Sequence, residues 1–243
     1  MSFKRTFATM LRVLKQLRHD HRTLALILFV PSILLIILNY VYEQKPLVFD
    51  NVAPLILGII PFTLMFIVTS VAVLRERTSG TLERLLISPA SRLDILFGYA
   101  GAFALLAFLQ AAIASFFTIV VFNVPIAGAT TWLLMVAVLS GILGMSFGLF
   151  LSAFAKNEFQ AVQFMPAFVL PQFLTCGLFT PRDNMAPFLR YFSDVMPITY
   201  AVDAMKEIKS NALWTGNLTF DVIVIIGFVL LALVLGAFSL KRQ

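Results

Sequence analysis

The chain has 243 residues, of which 60% are hydrophobic and only 12% are charged. Soluble domains carry about 25% charged residues and 45–50% apolar ones, so this composition excludes a disordered chain and argues against a soluble enzyme. One cysteine and two histidines exclude a disulfide framework within the chain and most Cys- or His-based metal sites. The net charge of +6 is compatible with nucleic acid or with a membrane protein that is basic on one side.

An amphipathic helix is predicted over residues 2–22, near the N-terminus. Basic residues take one side, and a basic helix with an aromatic and leucine face is typical of the membrane interface. The alternative is an elbow helix that also contacts a cytoplasmic partner through Arg12, Lys15 and Arg18. The apolar face comprises Phe3, Phe7, Met10, Leu11, Leu14 and Leu17.

Long apolar blocks follow, and a helix needs about 20 apolar residues to cross a bilayer core. The pattern predicts an all-α membrane protein, because β-barrel strands would alternate in polarity over ten-residue segments. None of the predicted spans contains Asp, Glu, Lys, Arg or His. We expect one transmembrane domain over residues 1–243, with six helices at residues 24–42, 52–74, 95–122, 131–155, 159–179 and 222–240.

Positive charges predict the orientation of these helices. With both termini in the cytoplasm, thirteen of the 18 Lys and Arg residues lie inside, and five lie outside. The basicity is therefore a topology signal and no longer points to nucleic acid. We expect a multi-pass protein of a prokaryotic cytoplasmic membrane, in contact with membrane lipid.

The connection at residues 75–94 is highly charged. Gly80 is a helix C-terminal signal, Thr81 can cap a new helix and Pro89 ends it, so a cytoplasmic helix of about two turns is predicted. Such a segment is either a solvated loop or a rigid lever against a cytoplasmic protein.

The outer connection at residues 180–221 is too apolar for a free loop. We expect two short helices there, at 185–192 and 200–208, forming a cap that dips into the outer leaflet.

The fourth predicted span carries four small residues at four-residue spacing, which is typical of a close helix–helix seam. They are Ser140, Gly144, Gly148 and Ser152.

The second and fifth spans combine prolines and polar groups with Phe and Met side chains. Such stripes are typical of lipid contact or core, and the alternative is an apolar route for an amphiphilic substrate between two facing subunits. The route candidates are Phe62, Met65, Phe66, Phe164, Phe168 and Gln172.

The chain has no Gly-x-x-x-x-Gly-Lys phosphate loop, and no catalytic or metal-binding constellation can be assembled. The absence of ionisable groups in the predicted spans argues against an ion-coupled carrier. Energy for any transport must therefore come from another protein.

Two segments resemble the ABC type-2 class of exporter permeases. The first reads Leu74-Arg75-Glu76-Arg77-x-x-Gly80-Thr81-Leu82-Glu83-x-Leu85-x-x-Ser88-Pro89. The second, before the last predicted span, reads Met196-Pro197-Ile198-Thr199-Tyr200-x-x-Asp203-Ala204. The resemblance extends over the whole chain and implies the type-2 exporter fold, with six spans, an elbow helix and an extracellular helical cap.

The resemblance also implies a separate ATP-binding subunit, which would hold ATP and magnesium, and a second permease copy or a paralogue. Spans two and five would line the route. Drug or antibiotic cargo is favoured because the route candidates are rich in Phe and Met; the alternatives are lipid-linked polysaccharide or lipid and, more remotely, an ion-coupled carrier. The residues expected to couple to the ATP-binding subunit are Arg75, Glu76, Arg77, Gly80, Thr81, Leu82, Glu83, Arg84 and Leu85.

Overall fold

The computed structural model describes residues 2–81 and 91–239, and every regular element in these two ranges is helical. The all-α class is therefore confirmed. A π-helical turn, Phe117–Val121, extends the helix Arg92–Phe116, and a 3₁₀ turn, Arg182–Asn184, precedes the helix Pro187–Val195. The helices are α1 Phe3–His19, α2 His21–Val41, α3 Pro46–Thr78, α4 Arg92–Phe116, α5 Thr130–Ser152, α6 Glu158–Thr175, α7 Pro187–Val195, α8 Pro197–Ser210 and α9 Gly216–Ser239.

Five of the described helical segments are long and apolar enough to cross a bilayer: His21–Val41, Pro46–Thr78, Leu93–Val121, Thr130–Ser152 and Gly216–Phe238. These correspond to five of the six predicted spans. The remaining one, α6, is 18 residues long and contains one Glu, three Gln and two Pro, which lower its hydropathy. A sixth span at α6 stays a prediction.

Two helices begin six residues before their predicted spans, at residue 46 in place of 52 and at residue 216 in place of 222. Pro46 occupies the first turn of α3, where its missing N–H costs no hydrogen bond, so residues 46–51 are helical rather than a loop. The last helix, α9, begins at Gly216 and therefore includes Asp221, which is 7% exposed. This acidic residue lies one position before the predicted span 222–240, which itself contains none.

The seam predicted from small residues is the centre of the fold, where α3 and α5 pack together. A Cβ added to Gly144 would lie 2.0 Å from the Phe62 carbonyl oxygen, so only glycine permits this approach. One turn away along α5, the Ser140 hydroxyl donates a hydrogen bond to the Gly58 carbonyl oxygen. The interpretation of this stripe as a helix–helix contact is confirmed.

The N-terminal helix α1 packs on the first half of α4. A Cβ added to Gly98 would lie 2.5 Å from the Thr9 Cβ, so the two helices are in close contact. The buried face of α1 is Thr9, Val13 and Leu17, whereas Phe3, at 85% exposed, lies outside the contact. The predicted apolar face therefore divides, with Leu17 in the protein contact and the aromatic residues near the N-terminus exposed.

The connection at residues 180–221, predicted to lie on the outer side, contains α7 and α8, each close to a predicted short helix. Most of one face of α8 is buried, and two backbone N–H groups, of Ala127 and Gly128, donate to the carbonyls of Lys209 and Ile208 at 3.0 and 2.9 Å. The connection between α4 and α5 thus holds the end of α8. By contrast, α7 exposes Phe188 and leaves an apolar surface beside α6.

Candidate functional site

The last turn of α3 meets α1 and α4 at a buried ionic cluster. The Arg12 guanidinium donates to Glu76 Oε2 at 2.9 Å and to the Tyr99 hydroxyl oxygen at 2.9 Å. The Tyr99 hydroxyl also donates to Glu76 Oε2. Glu76 is only 4% exposed, whereas the Arg12 side chain is 31% exposed. Three helices are therefore joined through one carboxylate.

The Arg12 guanidinium stays charged in this cluster. Partial burial lowers its pKa, but the hydrogen bond to Glu76 and the nearby Tyr99 outweigh that effect and raise the pKa above the ordinary value. The Arg12 Cζ atom also lies 5.8 Å from the Tyr99 ring centroid, within the range of a cation–π contact. Breaking one member of such a pair leaves the other uncompensated, which is costly when the remaining charge is buried.

The neighbouring residue on each side of Glu76 also makes an intramolecular contact. Arg75 donates from Nε and Nη2 to the Glu158 carboxylate at 2.8 and 3.0 Å, a bidentate pair at the start of α6. Arg77 donates to the carbonyl oxygens of Ala153, at 3.0 Å, and Ala155, just beyond the end of α5. A cation there complements the negative end of the helix dipole. Residues 75–77 thus connect the end of α3 to four other elements.

Of the two alternatives for this segment, the solvated loop does not describe residues 75–77, and the Gly80 signal for the end of a helix is confirmed. Residues 75–77 continue α3, and the helix ends at Thr78, with Gly80 at a φ of +69° supplying the left-handed residue that follows many helices. Thr81 is half-buried, and its hydroxyl lies 2.9 Å from the Ser79 hydroxyl. The predicted coupling residues Leu82, Glu83, Arg84 and Leu85 lie outside the described residues.

The burial of Glu76 changes its expected part. A carboxylate that is 4% exposed and bound by Arg12 and Tyr99 faces the protein, so Glu76 does not lie on the surface of the single chain. A role of Glu76 in coupling stays a prediction. Of the three candidate partner contacts on α1, Lys15 and Arg18 are exposed and Arg12 turns inward. No local pattern indicates this, since the residues of the cluster are far apart along the chain.

The predicted route residues are brought together, but inside the chain. Phe62, Met65 and Phe66 are completely buried, and the Phe66 and Phe168 rings stack with centroids 5.8 Å apart. Gln172 is also fully buried. Its side-chain amide donates to the Phe168 carbonyl oxygen at 2.9 Å, and its Oε1 accepts from a backbone N–H at the start of α8.

Phe164 is half-buried on the same face of α6 and packs against the core. The four phenylalanines among the route candidates belong to one core cluster, and Gln172 bonds within it, whereas Met65 packs in a second cluster with Phe103 and Met145. Their arrangement matches the core interpretation of the Phe and Met stripes.

The opposite face of α6 lines a groove of about 900 Å³, which sequence reasoning missed. Leu170 and Leu174 form its floor, 49% and 60% exposed, and α7 forms one side. The groove is largely apolar, with polar groups at Thr175, Thr180 and Asn184. Because both faces of α6 are apolar, the periodicity alone does not tell which face packs and which one is open.

A second ionic cluster lies in the connection between α6 and α9. Arg182 donates to the carboxylates of Asp194, in α7, and Asp203, in α8. Lys206 donates to Asp203 at 3.0 Å. The Arg182 side chain is 22% exposed, so this cluster is partly out of water. It fixes the two outer helices relative to the chain that follows α6.

Comparison with known proteins connects these features to a family. The family model described as ABC-2 type transporter matches residues 4–209. The chain is 32% identical over 172 residues to the probable multidrug ABC transporter permease YbhR of Escherichia coli (strain K12), a match covering 67% of this chain and 47% of that protein.

Two further relatives are more distant. ABC transporter G family member 20 of Dictyostelium discoideum is 29% identical over 159 residues, covering 65% of this chain and 22% of the relative. The probable multidrug ABC transporter permease YbhS of Escherichia coli (strain K12) is 26% identical over 143 residues, covering 58% and 38%. The matched region is thus about half or less of each relative's length.

Proposed function

This chain belongs to the ABC-2 type transporter family, and on that premise we propose that it is the membrane permease of an ABC exporter for hydrophobic or amphiphilic, drug-like cargo. A separate ATP-binding subunit would bind ATP and magnesium, and a second permease copy or a paralogue would complete the assembly. In this proposal the chain lies in the cell membrane with both termini in the cytoplasm, α6 is a sixth span, α1 is an elbow helix, and α7 and α8 form an extracellular cap.

The attachment of residues 75–77 is the observation that carries the proposal. Arg75, Glu76 and Arg77 bind partners on α1, α4, α6 and the end of α5. A force on the connection that follows Thr78 would therefore move several helices together. A loop joined to the bundle at one point would instead bend, because an exposed connection has few contacts that resist local motion.

We assign the direct contact with the ATP-binding subunit to exposed charges. Lys15 and Arg18 project from α1, and Glu83 and Arg84 lie in the connection after α3. In this assignment, Glu76 acts as a positioning residue, which holds the end of α3 against α1 and α4. Residues Leu82 and Leu85 would supply apolar contact in the same interface.

The cargo route is assigned to the open face of α6. Two copies whose α6 helices face each other would place the groove lined by Leu170, Leu174 and Phe188 between them. Its apolar walls suit the apolar part of an amphiphile, and the hydroxyl and amide groups near α7 suit a polar group. Two bacterial relatives are named as probable multidrug ABC transporter permeases, which agrees with such cargo.

Co-purification and export measured together test this function. The permease would be expressed with the ATP-binding subunit, and Glu83→Ala would be compared with Glu43→Ala, the same change at an exposed residue at the other end of the bundle. We expect Glu83→Ala to lower recovery of the ATP-binding subunit or the export rate at equal membrane levels, with Glu43→Ala at wild-type values. Wild-type recovery and export for both variants would refute the coupling assignment.

A further inference from the structure

A second groove, of about 340 Å³, lies between α2 and α3 and is separate from the α6 surface. Its walls are aliphatic, and its mouth is polar, with Gln16, Asp20, Thr23 and Arg75 at the end where α2 begins and α3 ends. Nothing in the proposed export route uses this groove. Its apolar walls include Leu26, Val30, Leu64, Ile67 and Val71.

The length of the groove matches one leaflet of a membrane. From Leu64 to Arg75 the helix rises about 16 Å at 1.5 Å per residue, and half of a bilayer core is about 15 Å. The charged mouth lies at the end of both helices, where lipid headgroups meet water. An acyl chain therefore fits along the walls when its headgroup lies at the mouth.

The mouth offers one charge of each sign. Arg75 uses Nε and Nη2 to bind Glu158, while its Nη1 lies 3.9 Å from Asp20 Oδ2, beyond hydrogen-bond length. Hydrogen bonds from the Thr23 hydroxyl and backbone N–H lower the pKa of Asp20, so its carboxylate is charged at neutral pH. A donor group and an acceptor group are thus both available to a ligand at the mouth.

We propose that this groove binds a phospholipid with a primary ammonium head, with one acyl chain between α2 and α3, the phosphate at Arg75 and the ammonium at Asp20. A guanidinium binds phosphate through charge-assisted hydrogen bonds, and a carboxylate does the same with an ammonium. A choline head has no N–H donor for Asp20, and a glycerol head has no positive charge. The site is therefore selective among lipids that share the same acyl chains.

Native mass spectrometry of the purified, delipidated full chain tests the proposal. Phosphatidylethanolamine, phosphatidylcholine and phosphatidylglycerol with identical acyl chains would be added back at equal concentrations. We expect one phosphatidylethanolamine per chain, retained about tenfold more tightly than the other two lipids, the difference that one charged hydrogen bond typically makes. Equal retention of all three lipids would overturn the proposal.

Variants locate the bound lipid. Val68→Trp or Val30→Trp fills the groove from one wall or the other and should reduce retention at least tenfold. Val234→Trp, on the exposed face of α9, should leave it unchanged. Asp20→Asn keeps an N-cap residue for α2 and should remove the preference for ethanolamine over choline heads. If both groove variants retain the lipid, the site lies elsewhere.

If something other than a lipid occupies the groove between α2 and α3, the same variants give different results. If Val68→Trp changes the number of chains per particle and leaves lipid retention unaltered, a second copy covers the groove and the lipid assignment fails. If neither tryptophan variant folds, the headgroup preference of Asp20→Asn decides the question. Neither cargo nor an ATP-binding subunit is present in these measurements, so their outcome is independent of the proposed export function.

Discussion

Arg12 and Glu76 are 64 residues apart in the chain, and their side chains form a 2.9 Å ion pair. The two partners are buried to very different extents, since Glu76 is 4% and Arg12 is 31% exposed. The guanidinium still reaches water, whereas the carboxylate depends on Arg12 and Tyr99 for compensation. The pair is therefore asymmetric, and its two truncations should differ.

Arg12→Ala should destabilise the chain more than Glu76→Ala. Removing Arg12 leaves a buried carboxylate, at a cost of about 3–5 kcal/mol. Removing Glu76 leaves an arginine that can turn to solvent and a tyrosine hydroxyl without its acceptor, at a cost of about 1–3 kcal/mol. Thermal unfolding in detergent measures the order of the two variants.

The double variant completes this test. Because each single change removes the same contact, the combined loss should be smaller than the sum of the two single losses. Lys15→Ala, an exposed cation on the same helix, serves as the control and should unfold like the wild type. Additive losses would show that the ion pair has little weight, and equal losses for the two single variants would contradict its asymmetry.

Gly144→Ala should disrupt the contact between α3 and α5. The added methyl group would lie 2.0 Å from the Phe62 carbonyl oxygen, a backbone atom that cannot rotate away. Overpacking of this kind costs about 1–3 kcal/mol. Gly227→Ala, in α9 with nothing within 4 Å of the added carbon, is the matched control. Similar unfolding temperatures for the two variants would contradict the close approach of the helices.

Much of the fold is predictable from sequence because burial in lipid requires long apolar helices. The stripe from Ser140 to Ser152 also predicted a seam correctly, since small residues at four-residue spacing have one main use in such helices. Helix ends were less accurate. Pro46 is a start signal for α3 that hydropathy does not register, and the helix from Gly216 includes the acidic Asp221 that an apolar window leaves out.

The details of the site depend on tertiary contacts. Glu76 looks like a surface charge in its local sequence, and only the packing of α1 on α4 brings Arg12 and Tyr99 to it. In α6, Phe168 and Leu174 lie on opposite faces that are equally apolar. A neighbour must cover one of them, and the amino-acid pattern does not say which. Packing, and not residue type, therefore distinguishes a core position from a groove position.

The two faces of α6 should respond differently to alanine. Phe168→Ala removes a ring stacked on Phe66 and should cost about 3–5 kcal/mol of stability. Leu174→Ala, on the groove side and 60% exposed, should leave stability within about 1 kcal/mol and change which amphiphiles are exported. Unfolding temperature and an efflux panel, measured on both variants, distinguish the faces. If Leu174→Ala exports the whole panel normally, the cargo passes elsewhere.

Arg182 should hold the outer helices in place. It binds carboxylates on both α7 and α8 and is 22% exposed, so Arg182→Ala leaves Asp194 and Asp203 facing each other without their shared cation. We expect α7 to detach and residues 180–195 to become sensitive to a protease added from the outer side. Arg190→Ala provides the comparison, because Arg190 pairs with Asp183 at the surface, where the two side chains are 54% and 81% exposed. Such exposed pairs contribute about 0–1 kcal/mol. Digestion at equal rates in the two variants would mean that apolar contacts, and not the Arg182 cluster, fix the position of α7.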